Sequence, residues 1–132
     1  MKILAINGSH RGDRGYTQFL IDKLFVGSRK ARADCETIVL AKSNIKACKG
    51  CRICQGADHY LKCVFDETDD VKAIFDKIRR SDLIVYASPI YVFAISSLLK
   101  TFLERITAVS DSSKHLISNS GLFFHHADTV LC

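Results

Sequence analysis

Apolar residues fall along this chain in short blocks between polar turns, and the blocks alternate between two periods. Ile3, Leu4, Ala5 and Ile6 form an unbroken apolar run that stops at Asn7-Gly8. A run of that length closed by a turn signal predicts a buried strand. After Tyr16, residues Phe19, Leu20 and Leu24 follow at helical spacing, and Gly27 is the expected helix stop. Lys30 to Asp34 reads as a charged connection. Cys35 to Leu40 alternates, with Cys35, Thr37 and Val39 on one face, which predicts a second strand near a sheet edge. Ala41 to Phe65 has no period and is expected to be a long loop. Asp66 to Arg80 reads as a helix, with acids (Asp66, Glu67, Asp69, Asp70) in its first turn and bases (Lys77, Arg79, Arg80) in its last. Val71, Ile74, Phe75 and Ile78 supply its core stripe. Leu83 to Ala87 is nearly all apolar, as expected for a strand buried on both faces. Ser88-Pro89-Ile90-Tyr91 breaks that strand. Leu99, Phe102, Leu103 and Ile106 then stripe a third helix, for which Ser96 is the expected N-cap.

The order β-α-β-loop-α-β-α implies an α/β fold with a parallel sheet. A chain of 132 residues suits one domain with a real core, so a single domain over 1–132 is expected. It divides into a cysteine-rich loop at 41–65 and a divergent tail at 109–132. In the tail only Ile117 and Gly121 to Phe124 offer apolar runs, with His125-His126 behind them. The sheet is therefore expected to be incomplete on its C-terminal side. Its third strand would then lie at an open edge that invites a second copy, so a homo-oligomer is expected.

Composition narrows the function classes. Nearly half the residues are apolar and the net charge is +5, which fits a globular protein with an anionic ligand. The basic residues are scattered, without an aromatic-interleaved stripe, so nucleic acid is not expected. The longest uncharged run, Leu83 to Leu99, contains Pro89 and three serines and falls short of a bilayer span of roughly 20 residues. No membrane association is expected. The first apolar run is too short for a secretory leader, so a cytoplasmic protein is expected. In that compartment the six cysteines point to metal ligands or redox thiols rather than structural disulfides.

The loop Ser9 to Gly15 lies between the first strand and the first helix, where backbone N–H groups and the helix dipole can hold a phosphate. Gly8, Gly12 and Gly15 permit close backbone approach, and Ser9, Arg11 and Thr17 offer donors. Neither the dinucleotide fingerprint nor the nucleotide-triphosphate loop is present. By itself the stretch fits an anion site and an ordinary strand-to-helix turn equally well.

Gly8-Ser9-His10-Arg11 with Gly15-Tyr16-Thr17, followed by Ser88-Pro89-Ile90-Tyr91 and the segment Ser97 to Arg105, resembles the flavodoxin-like NAD(P)H-dependent FMN reductases. The likeness covers residues 1 to about 107. His10 stands where that family commonly has proline, and Tyr16 where asparagine is common. The resemblance implies a flavodoxin-like three-layer sandwich with strand order 2-1-3-4-5 and FMN at the switch point. It implies an FMN-dependent oxidoreductase or electron-transfer flavoprotein. The FMN phosphate would lie at Ser9, Arg11, Tyr16 and Thr17, and the flavin ring at Pro89, Ile90, Tyr91, Val92 and Phe93. NAD(P)H or a redox protein would supply electrons. No catalytic acid or base stands out.

Cys48-x2-Cys51-x2-Cys54-x8-Cys63 is the second candidate site. Zinc sites usually separate two close pairs by a dozen or more residues, whereas three cysteines at x2 spacing plus a fourth are closer to iron–sulfur ligation. The spacing resembles the iron–sulfur flavoproteins, a branch of the same family, which implies a [4Fe–4S] cluster. Zinc and free redox thiols stay open as readings of the same residues, and a non-enzymatic zinc-binding or interaction module is the alternative function. Asp66, Glu67, Asp69 and Asp70 are expected to face solvent, while Lys46, Lys49, Arg52 and Lys62 offset the charge of a cluster. Cys35, Cys132 and the five histidines show no ligand spacing.

Overall fold

A computed structural model describes residues 1–109; the tail expectations for 110–132, including Ile117, His125, His126 and Cys132, lie outside the described residues. Strands β1 (Lys2–Asn7), β2 (Asp34–Val39) and β3 (Leu83–Ala87) form a parallel sheet in the order β2-β1-β3. Leu4 pairs with Glu36 on one side and Ile84 on the other. This order agrees with the first half of the doubly wound arrangement, and β2 sits at the edge as its alternating pattern indicates.

Helix α1 (Tyr16–Lys30) covers one face of the sheet, packing Ile21 and Phe25 on Ile3, Ala5, Val85 and Ala87. Helices α2 (Val71–Arg79) and α3 (Ser97–Glu104) cover the other face. There Val71, Ile74, Phe75, Ile78, Leu99 and Phe102 close over Leu4, Ile6, Ile84 and Tyr86. Phe75 and Phe102 stack with ring centroids 5.0 Å apart, which locks the two helices together. The result is the expected three-layer sandwich.

Two helix boundaries differ from the sequence expectation. Helix α1 does not stop at Gly27; it runs on to Lys30. The left-handed residue after the helix is Arg32, with φ of 60°. Ala33 N–H donates to the Ser28 carbonyl and Arg32 N–H to the Arg29 carbonyl, which is a Schellman closure built without glycine. Helix α2 begins at Val71 rather than Asp66. Residues 66–70 form tight turns instead, because their carboxylates bind the preceding loop: Asp70 accepts Asn44 N–H at 2.7 Å and Asp66 accepts Cys63 N–H at 3.0 Å. Acid side chains engaged in long-range bonds compete with a first helical turn.

The expected cap of α3 is present. Ser96 Oγ accepts the Leu99 N–H at 3.1 Å and donates to the Gly8 carbonyl at 2.6 Å. Ser96→Ala is therefore expected to lower stability by about 1–2 kcal/mol, the range for a lost cap. Gly27→Ala is expected to raise it by roughly 0.5–1 kcal/mol, because a Cβ there meets nothing within 4 Å. Urea denaturation of the two variants checks both signs.

Candidate functional site

The loop after β1 is held from within by Asn7, whose side chain is fully buried. Its Oδ1 accepts the Ser9 N–H at 2.9 Å, and its Nδ2 donates to the Gly12 carbonyl at 3.1 Å and to Gln18 Oε1 at 2.9 Å. Gly12 takes φ of +60°, the left-handed turn that folds the loop back toward α1. Ser9 and Thr17 are buried, and Ser9 Oγ accepts the Arg11 N–H at 3.2 Å. A Cβ on Gly15 would press Arg11 Cβ at 3.0 Å and Ser9 Oγ at 3.2 Å, so the backbone must stay bare where the loop enters the helix. The first N–H groups of α1 lack intrahelical acceptors. Bare backbone, two hydroxyls and the exposed Arg11 form a cradle that fits a phosphate. Tyr16 contributes only its backbone there, since its exposed ring stacks on Phe19 with centroids 5.5 Å apart.

The stretch after β3 is a small hairpin, β4 (Ile90–Tyr91) against β5 (Ala94–Ile95). Val92 and Phe93 make its two-residue turn with φ of 49° and 63°. Such a turn matches strand twist but normally carries Asn-Gly or similar residues. Both side chains are almost wholly exposed. Left-handed backbone at a β-branched valine and a phenylalanine stores strain, and strain of this kind clusters at ligand clamps.

The two loops meet at the carboxyl end of the sheet. Gly8 N–H donates to the Ala87 carbonyl at 2.8 Å, and Ser88 Oγ accepts the Ser96 N–H at 2.9 Å. A Cβ on Gly8 would lie 2.7 Å from Leu99 Cβ, so only glycine permits this approach. His10 Nε2 lies 3.2 Å from Ser97 Oγ, and its ring sits 6.4 Å from that of Tyr91. Ser9, Arg11, Tyr16 and Thr17 thus share one loop, and Pro89 to Phe93 form the hairpin beside it. Asn7 and Gln18, which shape the phosphate-type loop, escaped sequence reasoning, and Ser96 was expected only as the cap of α3, not as the bridge to Gly8. The Asn before the turn and the Ser eight residues past the Ser-Pro break were the available signals.

All four cysteines of the second candidate site line one cavity of about 360 Å³. Gly50 and Arg52 adopt left-handed backbone, which turns the Cys48–Cys54 stretch around it. Gly50 N–H donates to Cys48 Sγ at 3.4 Å, and the Cys54 thiol points at the Thr107 carbonyl at 3.7 Å. Among the described residues no three His, Cys, Asp or Glu side chains converge closely enough to hold a metal ion. The thiols share a wall rather than a point. The lining includes Lys49, Arg52 and Arg105 and no carboxylate. A donor set of soft thiols among cations fits an anionic thiolate cluster and does not fit a hard cation such as calcium.

Asp69 does not face solvent as expected. Its carboxylate is fully buried against Arg105 Nη1 at 2.5 Å and accepts the Lys46 N–H at 3.2 Å. Arg105 is 1% exposed, donates also to the Lys46 carbonyl at 2.8 Å, and lies over the Phe65 ring at 5.3 Å from its centroid. Burial opposes its charge, and Asp69 together with the Cys63 sulfur more than offsets this, so its pKa is held above the ordinary value. Lys46 and Lys49 stand over the same ring, at 5.3 and 5.0 Å. Arg105 escaped sequence reasoning, although it lies three residues beyond the buried Phe102 and so continues the core face of α3.

A parallel β2-β1-β3 sheet with a phosphate-type loop and a strained hairpin meeting at its carboxyl end defines a flavodoxin-like domain. The profile described as NADPH-dependent FMN reductase matches residues 1–125, and the chain belongs to that family. It is 32% identical over 105 residues to an iron-sulfur flavoprotein of Archaeoglobus fulgidus, which covers 80% of this chain and 48% of that protein. It is 30% identical over 105 residues to an iron-sulfur flavoprotein of Methanosarcina thermophila, with 80% and 52% covered. The chain thus spans about half the length of these relatives. Among solved structures, RosB with bound 8-demethyl-8-formylriboflavin-5'-phosphate superposes with a TM-score of 0.72 at 22% identity, covering 100% of this chain and 52% of that one. A flavone reductase superposes at 0.65 with 25% identity, covering 89% and 33%.

If the hairpin strain serves a clamp, relieving it should separate stability from binding. The double variant Val92→Asn, Phe93→Gly is expected to gain about 1–3 kcal/mol in stability while weakening flavin affinity. Thermal unfolding and a flavin fluorescence titration measure the two effects. A more stable protein with unchanged affinity would make the turn a structural accident.

Proposed function

We propose that this chain is the flavin-binding domain of an FMN-dependent oxidoreductase that takes electrons from NAD(P)H or a protein donor, with a [4Fe–4S] cluster held by Cys48, Cys51, Cys54 and Cys63. The observation that carries the flavin reading is the meeting of the Ser9–Thr17 loop and the Pro89–Phe93 hairpin, joined through Gly8 and Ser96 at the carboxyl end of β1 and β3. Family membership supports the same ligand. When bound, FMN supplies hydride and single-electron chemistry, and the protein supplies orientation and field. Ser9, Thr17 and the backbone at the start of α1 hold the phosphate, and Arg11 adds a charge-assisted bond. Pro89 fixes the exit from β3 and removes a donor, and the backbone N–H groups that the β4–β5 ladder does not use serve the polar edge of the ring. The exposed Tyr91 and Phe93 rings cover its face.

The cluster reading rests on the four thiols of one cavity, the cations beside them and the names of the relatives. The cysteines of the described residues are free thiols, which suits a reducing compartment, and we assign the protein to the cytoplasm. No helix among the described residues is long and apolar enough to cross a membrane. We assign it also to a homo-oligomer, since β3 has no further strand beside it among the described residues. Sedimentation tests that assignment.

Arg11→Ala is expected to weaken FMN binding by about tenfold to a hundredfold, the loss of a bond to a charged group worth roughly 1.5–3 kcal/mol. Unchanged affinity in a fluorescence titration would place the phosphate elsewhere. Anaerobically purified protein should carry close to four irons and four sulfides per chain, lost in Cys51→Ser. One zinc per chain, or four titratable thiols without metal, would overturn the cluster.

A further inference from the structure

Arg105 carries more charge toward the cysteine cavity than the fold requires. Its side chain is buried, and Nη1 alone accounts for its bonds to Asp69 and the Lys46 carbonyl. Nε and Nη2 are buried and make no hydrogen bond to an oxygen or nitrogen; the group the guanidinium meets beyond Asp69 and Lys46 is the Cys63 sulfur. Buried guanidinium donors are rarely left this way, because an unmade bond leaves the desolvation of the donor uncompensated. The same guanidinium forms part of the cavity wall, beside the Cys63 sulfur. A group whose only task was to staple the loop to α3 would not keep its remaining donors buried in the same wall as the Cys63 sulfur.

We propose that Arg105 is the fixed counter-charge of the cysteine centre, a positioning residue that sets how readily that centre accepts an electron. The inference rests on the [4Fe–4S] reading of Cys48, Cys51, Cys54 and Cys63. A centre with four thiolate ligands is anionic, and reduction adds one further negative charge. A cation held beside it stabilises the reduced form and raises the potential. Lys46 and Lys49 can also approach, but their side chains stand over Phe65 at the surface of the loop and remain free to move away. Arg105 cannot leave: Asp69 grips one nitrogen, Phe65 covers one face and solvent does not reach it. Arg105 lines the cavity and Asp69 does not, so Asp69 weakens the field there without cancelling it.

The test is a redox titration of the anaerobically purified full chain, followed by electron paramagnetic resonance, with iron and sulfide measured on each sample. In Arg105→Gln, at wild-type iron content, the reduced-to-oxidised ratio at a fixed potential is expected to fall about tenfold, ~59 mV for a one-electron couple. Arg105→Lys should fall between the two. Asp69→Asn keeps the guanidinium and the side-chain shape but removes the opposing charge, so its potential should rise. Asp69→Asn decides the matter if Arg105→Gln does not hold iron. Iron-loaded variants with wild-type potentials would overturn the counter-charge role and leave the cluster standing. Loss of iron from all three variants, Arg105→Lys included, would make Arg105 a structural staple and overturn the role. A wild-type chain without iron would overturn the cluster itself, and this role with it.

Discussion

The buried pair of Asp69 and Arg105 is the charged centre of a seam between three separate parts of the chain. Asp69 precedes α2, Arg105 follows α3, and Lys46 belongs to the long loop after β2; one carboxylate and one guanidinium join all three. Asp69 Oδ1 also takes the Val71 N–H at 3.3 Å, which helps to start α2 where it starts. Bringing two charges out of water is costly, and a buried pair is not a general source of stability. Removing one partner of such a pair, however, costs about 3–5 kcal/mol, because the other charge is left stranded. The pair is therefore better understood as a specificity device. A loop of some 25 residues with only short 3-10 turns could otherwise settle in many ways. Only an arrangement that returns Lys46 to the Asp69–Arg105 contact satisfies both charges.

The flavin loops are organised by a different kind of constraint, close backbone approach. Gly8 is pressed between Ala87 and Leu99, and Ser96 bonds its carbonyl while capping α3. The phosphate loop, the end of β3 and the start of α3 thus move as one body. A ligand that spans the phosphate loop and the hairpin meets a preformed frame, and only the tip at Val92 and Phe93 remains to adjust. This division of labour agrees with where strain is found: the left-handed turn inside the frame falls on Gly12, which takes it without strain, and the left-handed non-glycine residues Val92 and Phe93 lie at the exposed tip.

Much of this was legible in the sequence because it depends on local patterns. The runs Ile3–Ile6 and Leu83–Ala87, and the stripe of Val71, Ile74, Phe75 and Ile78, lie where periodicity indicated. Ser96 caps α3 through an ordinary short-range bond. The departures arise where particular hydrogen bonds, some local and some between distant residues, overrule residue preference. Asp66 and Asp70 look like first-turn acids, but they bond to the loop instead. Gly27 looks like a stop, but the helix end is decided by a closure in which the non-glycine Arg32 takes the left-handed position. Asp69 and Arg105 are 36 residues apart, and no spacing rule connects them. The cysteines could be found by spacing, whereas their electrostatic partner could be found only by packing.

These two kinds of information bear differently on electron transfer. The ligand set decides which centre the proposed site would hold, and here it is four thiols on one cavity wall. The energy at which the centre works depends on the charges held near it, and here mobility matters as much as distance. A surface lysine contributes an average over many positions and is screened by salt. A guanidinium fixed between a carboxylate and an aromatic ring contributes from a single position, in a medium that screens weakly. The loop after β2 brings both kinds of cation to Phe65, but only Arg105 is anchored to the core of the fold through α3. That anchoring ties the field at the cysteine cavity to the same helix whose N-terminus frames the hairpin beside the phosphate loop.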